Sequence, residues 1–222
     1  MMLVLRVNMK IETLIENYPR LYHMASEGSW PSIQKHGLQC TRALLDRYNI
    51  AGGQRDRILR QHRPECVDIS SPKYPKATVR DQKPMSDKGL SKALGGSCTP
   101  SEWYEILNNR VFFWLTEERL KTMLGARPYK NSKHDVLTID SKKLISDYAG
   151  QILLSGMNSG NTKPFPHPRT PELFKPIDEF PFEERRKTRS LRNAIVELTV
   201  PDGVPNIADY VLSVKTISID EL

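Results

Sequence analysis

The chain has 222 residues and a net charge of +7. Its hydrophobic content of 38% supports a packed core and excludes a wholly disordered chain, and its length suits one sizeable domain, which we assign to residues 1–222. The positive charge suits a polyanionic partner such as nucleic acid, or an anionic cofactor, although a basic protein with neither explains it equally well.

The first half of the chain predicts mainly short helices. The first ends before Pro19 and covers Ile11–Tyr18, because the residue before a proline is pushed out of helical geometry. The apolar run Leu21–Met24 predicts a strand. Caps and apolar periodicity predict further helices at Trp30–Leu38 (Ser29 as cap, Gly37 as stop), Thr41–Tyr48, Gln54–Arg63, Ser86–Leu94, and through Trp103–Leu107 with Thr99 or Ser101 as cap. Prolines recur from Pro64 to Pro84, which predicts loops and short strands there, with Ala77–Arg80 the best strand candidate.

The second half of the chain predicts more strands. Apolar or alternating runs predict them at Val111–Leu115, His134–Ile139, Ile152–Leu154, Ala194–Val200 and within Tyr210–Ile219. Helices are predicted at Thr116–Leu124 with Thr116 as cap, at Ser141–Tyr148 and, as a charged exposed helix, at Phe182–Arg192, whereas Met157–Pro181 should be irregular. Because no regular β–α–β alternation runs through this order, we predict an α+β fold.

The cysteines and the termini bear on compartment and metal binding. Cys40, Cys66 and Cys98 are isolated and form no C-x-x-C pair, which argues against a disulfide framework and against a zinc site. Met1–Lys10 lacks the apolar length and the cleavage site of a signal peptide, and no later stretch approaches the ~20 apolar residues of a membrane span. We therefore expect a cytoplasmic protein that binds no membrane and no metal.

Three features of the sequence are candidates for chemistry. Glu197 lies in a strand among apolar neighbours, where burial would tune its ionisation; alternatively it lies on a solvated face and pairs with an arginine. Tyr22-His23 ends an apolar strand, although a single histidine is often structural. The polar run Asn158–Thr162 follows a strand and is either an ordinary turn or, if it faces a ligand, part of a site.

Several common enzyme motifs are absent from the sequence. It contains no G-x-G-x-x-G, no G-x-x-x-x-G-K-[ST], no H-E-x-x-H and no G-x-S-x-G. Their absence argues against the commonest dinucleotide-binding fold, but it leaves open the binding of NAD by another fold.

Short segments in a fixed order resemble the ADP-ribosyltransferase superfamily. Leu21–Ala25, followed by Trp30–Ile33 and His36–Leu38, is similar to the opening of many of these domains, in which a strand carries a histidine. Ala194–Asp202 with Val204-Pro205 resembles the catalytic strand of DarT-like DNA ADP-ribosyltransferases, and Glu197 falls on the catalytic position. Val111–Trp114 resembles the aromatic strand that packs against nicotinamide. Almost the whole chain also resembles an uncharacterised bacterial family close to this group, through Arg80–Met85, Arg110–Trp114 and Asn158–Thr162.

The resemblance implies a fold, a substrate and a set of roles. The fold would be ADP-ribosyltransferase-like, with split central antiparallel sheets flanked by helices, and the substrate would be NAD. The implied catalytic residues are Glu197, His23 and Arg80, and the implied NAD-binding residues are Tyr22, His23, Met24, Phe113, Trp114, Asn158 and Ser159. Glu197 would hold the ribose 2′-hydroxyl and stabilise an oxocarbenium-like transition state, while Arg80 would pair with a pyrophosphate oxygen.

The sequence also departs from this family, and the departures bear on the acceptor. Ile195 stands where arginine-directed transferases carry Gln or Glu, so an arginine acceptor is not expected. Phe113 or Trp114 replaces the family's tyrosine, which keeps stacking and loses a hydroxyl. The basic run Arg185–Arg192 precedes the catalytic strand, where this fold selects its acceptor, so we expect DNA or RNA there unless the run is a solvated charged helix. The alternatives are a NAD glycohydrolase, a non-catalytic nucleic-acid-binding module on the same fold, and an unrelated basic scaffold protein.

Overall fold

The computed structural model describes residues 9–221. The expectation that Met1–Lys10 forms no signal peptide therefore concerns residues that lie almost entirely outside the described range. The strands are β1 (Arg20–Ser26), β2 (Leu38–Gln39), β3 (Val67–Ser71), β4 (Tyr74–Val79), β5 (Arg110–Phe113), β6 (His134–Asp140), β7 (Leu153–Ser155), β8 (Lys175–Pro176), β9 (Glu197–Pro201), β10 (Gly203–Val204) and β11 (Val211–Ile217). The helices are α1 (Ile11–Asn17), α2 (Trp30–His36), α3 (Thr41–Arg47), α4 (Gly52–Arg60), α5 (Asp87–Leu94), α6 (Pro100–Asn108), α7 (Glu117–Leu124), α8 (Ser141–Tyr148), α9 (Phe182–Arg186) and α10 (Leu191–Ala194).

Two antiparallel sheets form the centre of the fold and join at a single point. One has the strand order β1-β6-β11 and the other has the order β5-β9-β7-β8. They meet at an isolated bridge, where Tyr22 and Trp114 exchange backbone hydrogen bonds of 2.9 and 2.8 Å. Away from this bridge β1 pairs with β6, whereas β5 pairs with β9, so the two sheets diverge. The predicted α+β class, with antiparallel sheets and helices, is confirmed.

The largest hydrophobic core is built on both central sheets. Leu21 and Leu137 contribute to it from one sheet, and Phe113 and Leu198 from the other; all four side chains are fully buried. Each such side chain stabilises the fold by about 1.5–3 kcal/mol when it leaves water. β9 lies between β5 and β7, with a core on both of its faces, which explains why even its polar residues Glu197 and Thr199 are buried.

Local signals at the helix ends explain where several helices begin. Thr99, one of the two caps that the sequence predicted, caps α6 through a capping box with Glu102, and Pro100 occupies the first turn. The predicted caps Ser29 and Thr116 precede their helices, but neither side chain makes a capping hydrogen bond. Gly37 ends α2 with φ 82°, and a side chain there would lie 2.5 Å from the Pro205 backbone, so both its conformation and its surroundings require glycine.

One predicted element is wrong in form. The single exposed helix predicted at Phe182–Arg192 is two short helices, α9 and α10, with a break between them. The Phe182 side chain is buried, and Arg185 turns inward to donate to the backbone oxygens of Gly156 and Ala194, each at 2.6 Å. These contacts draw the segment onto the fold. Within residues 9–221, no helix combines the length and apolar character needed to cross a bilayer.

Candidate active site

A cleft of about 600 Å³ opens where the two central sheets diverge. Residues of β1, β5, α2 and β4 line it, together with residues 158–160 of the loop after β7. Segments far apart in the chain thus bring His23, Arg80, Trp114 and Glu197 to one cavity.

Glu197 is the first residue of β9, and its side chain is 3% exposed. Both carboxyl oxygens lie 3.2 Å from the peptide nitrogen of Ser159, which donates to them from the loop after β7. Burial raises the pKa of Glu197 to about 7, against the opposing effects of the Ser159 hydrogen bond and of the positive charges of Arg119 and Arg169. A carboxyl group poised near neutrality can therefore act both as a hydrogen-bond acceptor and as a proton acceptor.

His23 is half-buried and lines the cleft. Its Nδ1 lies 2.9 Å from the backbone oxygen of Phe112. Because a carbonyl oxygen can only accept, Nδ1 carries the hydrogen and Nε2 is left as an acceptor. Burial lowers the pKa of His23 to about 4, against the opposing effect of the Phe112 hydrogen bond and with a smaller contribution from the Arg80 charge, so the ring is neutral near pH 7. A neutral imidazole with an unprotonated Nε2 suits a ligand hydroxyl group.

Arg80 follows β4 and extends over the same cleft. Its Nη1 donates to the backbone oxygen of Met24 at 3.0 Å, and its guanidinium stacks on the Tyr129 ring, 4.4 Å from the ring centre. The buried Nε atom has no hydrogen-bond partner, and no carboxylate of residues 9–221 lies within 4 Å of this guanidinium. Arg80 is therefore available to bind an anion from the cleft. The Met24 side chain is buried, and the Met24 backbone oxygen orients the Arg80 guanidinium.

The aromatic strand presents alternate residues to the cleft. Phe112 and Trp114 line it, whereas Phe113 is fully buried on the opposite face and contacts the His23 ring edge-on, with 5.9 Å between ring centres. Tyr22 likewise lies away from the cleft, on the face near α7. Consecutive strand residues point to opposite faces, so Phe113 and Trp114 cannot wall one pocket together. Phe112, and not Phe113, therefore lines the cleft beside Trp114.

Asn158, Ser159 and Gly160 of the polar run after β7 line the cleft, which is one of the two arrangements that the sequence left open. Asn158 Oδ1 accepts a hydrogen bond of 3.0 Å from the Gly160 peptide, which shapes a tight turn. Ser159 is 1% exposed, and its Oγ is buried without a hydrogen-bond partner among residues 9–221. This turn aims the Ser159 peptide N–H at Glu197 and places the Ser159 hydroxyl beside the same carboxyl group.

Further arginines of the cleft were missed by the sequence reasoning. Cations outnumber carboxylates among the lining residues: Arg47, Arg63, Lys76, Arg80 and Arg110 stand against Asp81 and Glu197. Among residues 9–221, the buried Nε atoms of Arg47, Arg80 and Arg110 have no hydrogen-bond partner, and such atoms are costly unless a ligand or water satisfies them. Because alternate strand residues share a face, a cleft lined by Trp114 and Phe112 would also have predicted Arg110 in its lining. The cleft as a whole therefore favours an anionic ligand.

The basic run Arg185–Arg192 is less available than its sequence suggested. Arg185 is occupied by backbone oxygens, including those of Gly156 and Ala194, and Arg192 donates to Thr122 Oγ1 at 2.8 Å. Arg186 donates to the backbone oxygen of Arg189 at 2.5 Å. Arg185 is thus withdrawn from solvent, whereas the other cations of the run remain exposed: Arg186, Lys187, Arg189 and Arg192.

Comparison with known proteins places the chain in a family. The profile of a family of unknown function (DUF7002) matches residues 19–211, which is most of the chain, and the chain therefore belongs to this family. No curated protein and no solved structure matches the chain. No group of three or more potential metal-binding side chains lies together in the part of the chain that the structure describes.

Proposed function

For this member of the DUF7002 family, we propose a NAD-dependent ADP-ribosyltransferase activity, in which the bond between nicotinamide and ribose is broken and ADP-ribose passes to an acceptor. One observation carries the proposal. A single cleft gathers Glu197, His23, Arg80 and Trp114, the residues to which the resemblance assigns catalysis, ribose binding, pyrophosphate binding and nicotinamide stacking. The divergence of two antiparallel sheets at this cleft also supports an ADP-ribosyltransferase-like fold.

The chemistry of each group suits NAD. The excess of cations and the unpartnered Arg80 Nε favour the negative pyrophosphate. The unprotonated Nε2 of His23 would accept a hydrogen bond from a ribose hydroxyl. Trp114 and Phe112 offer flat aromatic surface for the nicotinamide ring. The positive nicotinamide ring would also favour the ionised form of Glu197, because an opposite charge lowers the pKa of a carboxyl group.

The proposed reaction breaks the bond from ribose C1′ to the nicotinamide nitrogen. The bonding electron pair leaves with neutral nicotinamide, and positive charge spreads over C1′ and the ring oxygen, as in glycoside hydrolysis. The Glu197 carboxylate accepts the 2′-hydroxyl hydrogen bond and stabilises this charge. An acceptor oxygen or nitrogen then bonds to C1′ and gives up its proton, which Glu197 or water receives.

Nicotinamide release from NAD tests the proposal. We expect the purified protein to release nicotinamide and the Glu197→Gln variant to lose this activity by at least about a hundredfold, since the variant retains shape but not charge. Glu183→Gln, which removes an exposed carboxylate on α9, should leave the rate unchanged. A wild-type protein that neither binds nor consumes NAD would refute the proposal, as would full activity in Glu197→Gln.

A NAD glycohydrolase is the second candidate function, and the contacts of Arg185 in the basic run Arg185–Arg192 support it. Because Arg185 is occupied by backbone oxygens, the segment before β9 offers fewer cations to a nucleic acid than the sequence suggested. Water needs no such surface. Labelled NAD mixed with single-stranded DNA, tRNA or a protein extract would distinguish the acceptors, since hydrolysis yields only free ADP-ribose. Binding of nucleic acid without NAD turnover would instead support a non-catalytic module.

A further inference from the structure

Arg169 lies behind the loop Asn158–Thr162 and outside the lining of the cleft. It is 3% exposed, and its guanidinium donates to three backbone oxygens: Nη1 to Ser159 at 2.7 Å, Nη2 to Asn161 at 2.6 Å and Nε to His167 at 3.2 Å. No carboxylate within the described part of the chain comes within 4 Å of it. Both Nη atoms of Arg169 are thus directed at the loop that contacts Glu197.

The loop is fixed from several sides. The Ser159 oxygen that Arg169 binds also accepts from the Trp103 indole nitrogen at 3.3 Å. At the end of the loop the Thr162 peptide donates to the backbone oxygen of Pro84 at 3.1 Å, and further along the chain the Arg169 peptide donates to that of Ala93 at 2.9 Å, which anchors the arginine itself. Ser159 is therefore held by its carbonyl while its N–H points at both oxygens of Glu197.

Stability alone does not account for a buried arginine at this place. A buried cation without an anionic partner is expensive to desolvate, and well-packed apolar side chains often stabilise a fold as much or more. What arginine adds is a planar fork that spans two carbonyl oxygens at fixed spacing, which a lysine cannot do. Here the two oxygens belong to Ser159 and Asn161, on either side of Gly160.

We propose that Arg169 is a positioning residue, which holds the loop Asn158–Thr162 by its carbonyl oxygens and thereby aims the Ser159 peptide N–H at the Glu197 carboxylate. The proposal rests on the proposed function for its consequence in catalysis, but not for its structural content. Without the fork, the Ser159 peptide turns away from Glu197, which loses its hydrogen-bond donor and its fixed orientation.

The matched pair Arg169→Lys and Arg119→Lys separates positioning from charge. Arg119 and Arg169 are both positive charges that lower the pKa of Glu197. Arg119, however, binds the backbone oxygen of Arg192 and Asn193 Oδ1, each at 2.7 Å, and does not touch the Ser159 loop. Lysine keeps the charge in both variants, and only Arg169→Lys removes the fork from the loop.

Nuclear magnetic resonance of ¹⁵N-labelled protein gives a readout that does not depend on activity. In the wild type, the Ser159 amide proton shift should follow the ionisation of Glu197, with a midpoint near its pKa of about 7. Glu197→Gln should abolish this dependence and so assign it. In Arg169→Lys the amplitude should fall by at least about half, while Arg119→Lys should retain it. Full amplitude in Arg169→Lys would overturn the proposal.

Nicotinamide release is the second readout. We expect a loss of about tenfold in kcat for Arg169→Lys, with KM for NAD little changed, and a change within about twofold for Arg119→Lys. Equal losses in both variants would contradict the positioning role. If the wild type releases no nicotinamide, the proposed function fails, whereas the amide titration still decides the role of Arg169. Thermal unfolding checks each variant. If Arg169→Lys does not fold, the pair Arg169→Gln and Arg119→Gln replaces the lysine pair with the same expectations, because each variant then loses one charge that acts on Glu197.

Discussion

The burial of Glu197 predicts that removing its charge makes the protein more stable at alkaline pH. Its pKa rises from an ordinary value of 4.5 to about 7 because the carboxylate is removed from water. The unfolded chain ionises near pH 4.5, whereas the folded protein holds the proton until pH approaches 7. Between these values the folded state binds more protons, so its stability falls as pH rises, and the cost is complete above pH 7.

The size of this effect follows from the pKa of Glu197. One pKa unit corresponds to about 1.4 kcal/mol, so a rise from 4.5 to about 7 gives a full cost of about 3 kcal/mol, of which about 2.5 kcal/mol develops between pH 5 and pH 8. Glu197→Gln carries no charge at either pH. We therefore expect the unfolding free energy of Glu197→Gln minus that of wild type to be about 2.5 kcal/mol higher at pH 8 than at pH 5, so the variant gains stability relative to wild type as pH rises.

Urea unfolding at the two pH values measures this difference. The comparison between variant and wild type cancels the titration of all other groups, including His23, whose own effect runs in the opposite direction. Glu183→Gln, an exposed carboxylate of α9, serves as the control for the loss of one charge. The reasoning is refuted if Glu197→Gln changes stability by the same amount at pH 5 and pH 8, since Glu197 would then ionise alike in the folded and unfolded chain.

Three further predictions address the same cleft and its supports. Burial lowers the pKa of His23 from 6.5 to about 4, so wild-type stability is lost as pH falls through this window. His23→Asn keeps an N–H donor for Phe112, and in urea unfolding it should gain about 2 kcal/mol of stability relative to wild type from pH 7.5 to pH 4.5, after allowance for the partial exposure of His23. No change would contradict the burial of His23 as a neutral ring. Gly156→Ala would place a methyl group 2.5 Å from the Arg185 guanidinium carbon and should cost about 1–3 kcal/mol of stability in thermal unfolding. Gly150→Ala, whose methyl group would have no atom within 4 Å, should change stability by less than about 0.5 kcal/mol. Equal effects of the two substitutions would show that Arg185 moves aside without cost. Phe113→Leu should destabilise the core by about 1 kcal/mol and leave NAD affinity nearly unchanged, whereas Trp114→Leu should weaken NAD binding in calorimetry. A larger loss of NAD affinity in Phe113→Leu than in Trp114→Leu would contradict the assignment of Phe113 to the core and Trp114 to the cleft.

Much of the local structure was predictable from the sequence. Thr99, Pro100 and Glu102 mark the start of α6, because a capping box satisfies backbone groups at any helix start. Apolar runs located the central strands β1, β5, β6 and β9, since burial of such runs is favourable in almost any fold. The α+β class followed from the order of these elements alone.

The assembly of the cleft could not be predicted in the same way. Strand alternation separates Phe112 and Trp114 from Phe113, but it does not say which face meets the core and which meets the cleft. The sequence also gave no sign of Arg169, because its carbonyl acceptors at Ser159 and Asn161 have no sequence signature. A hydrogen bond to backbone depends on where the chain runs, and not on which side chain it carries.

Glu197 shows the division most clearly. The sequence by itself determined that a carboxylate stands within an apolar strand, because local hydrophobic patterning is sufficient to form that strand. Only the tertiary structure decided that this strand lies between two others, that Ser159 approaches it from a distant loop, and that burial brings its pKa to about 7. The physical reason is that desolvation and directed hydrogen bonds depend on neighbours in space, whereas sequence patterns report neighbours along the chain.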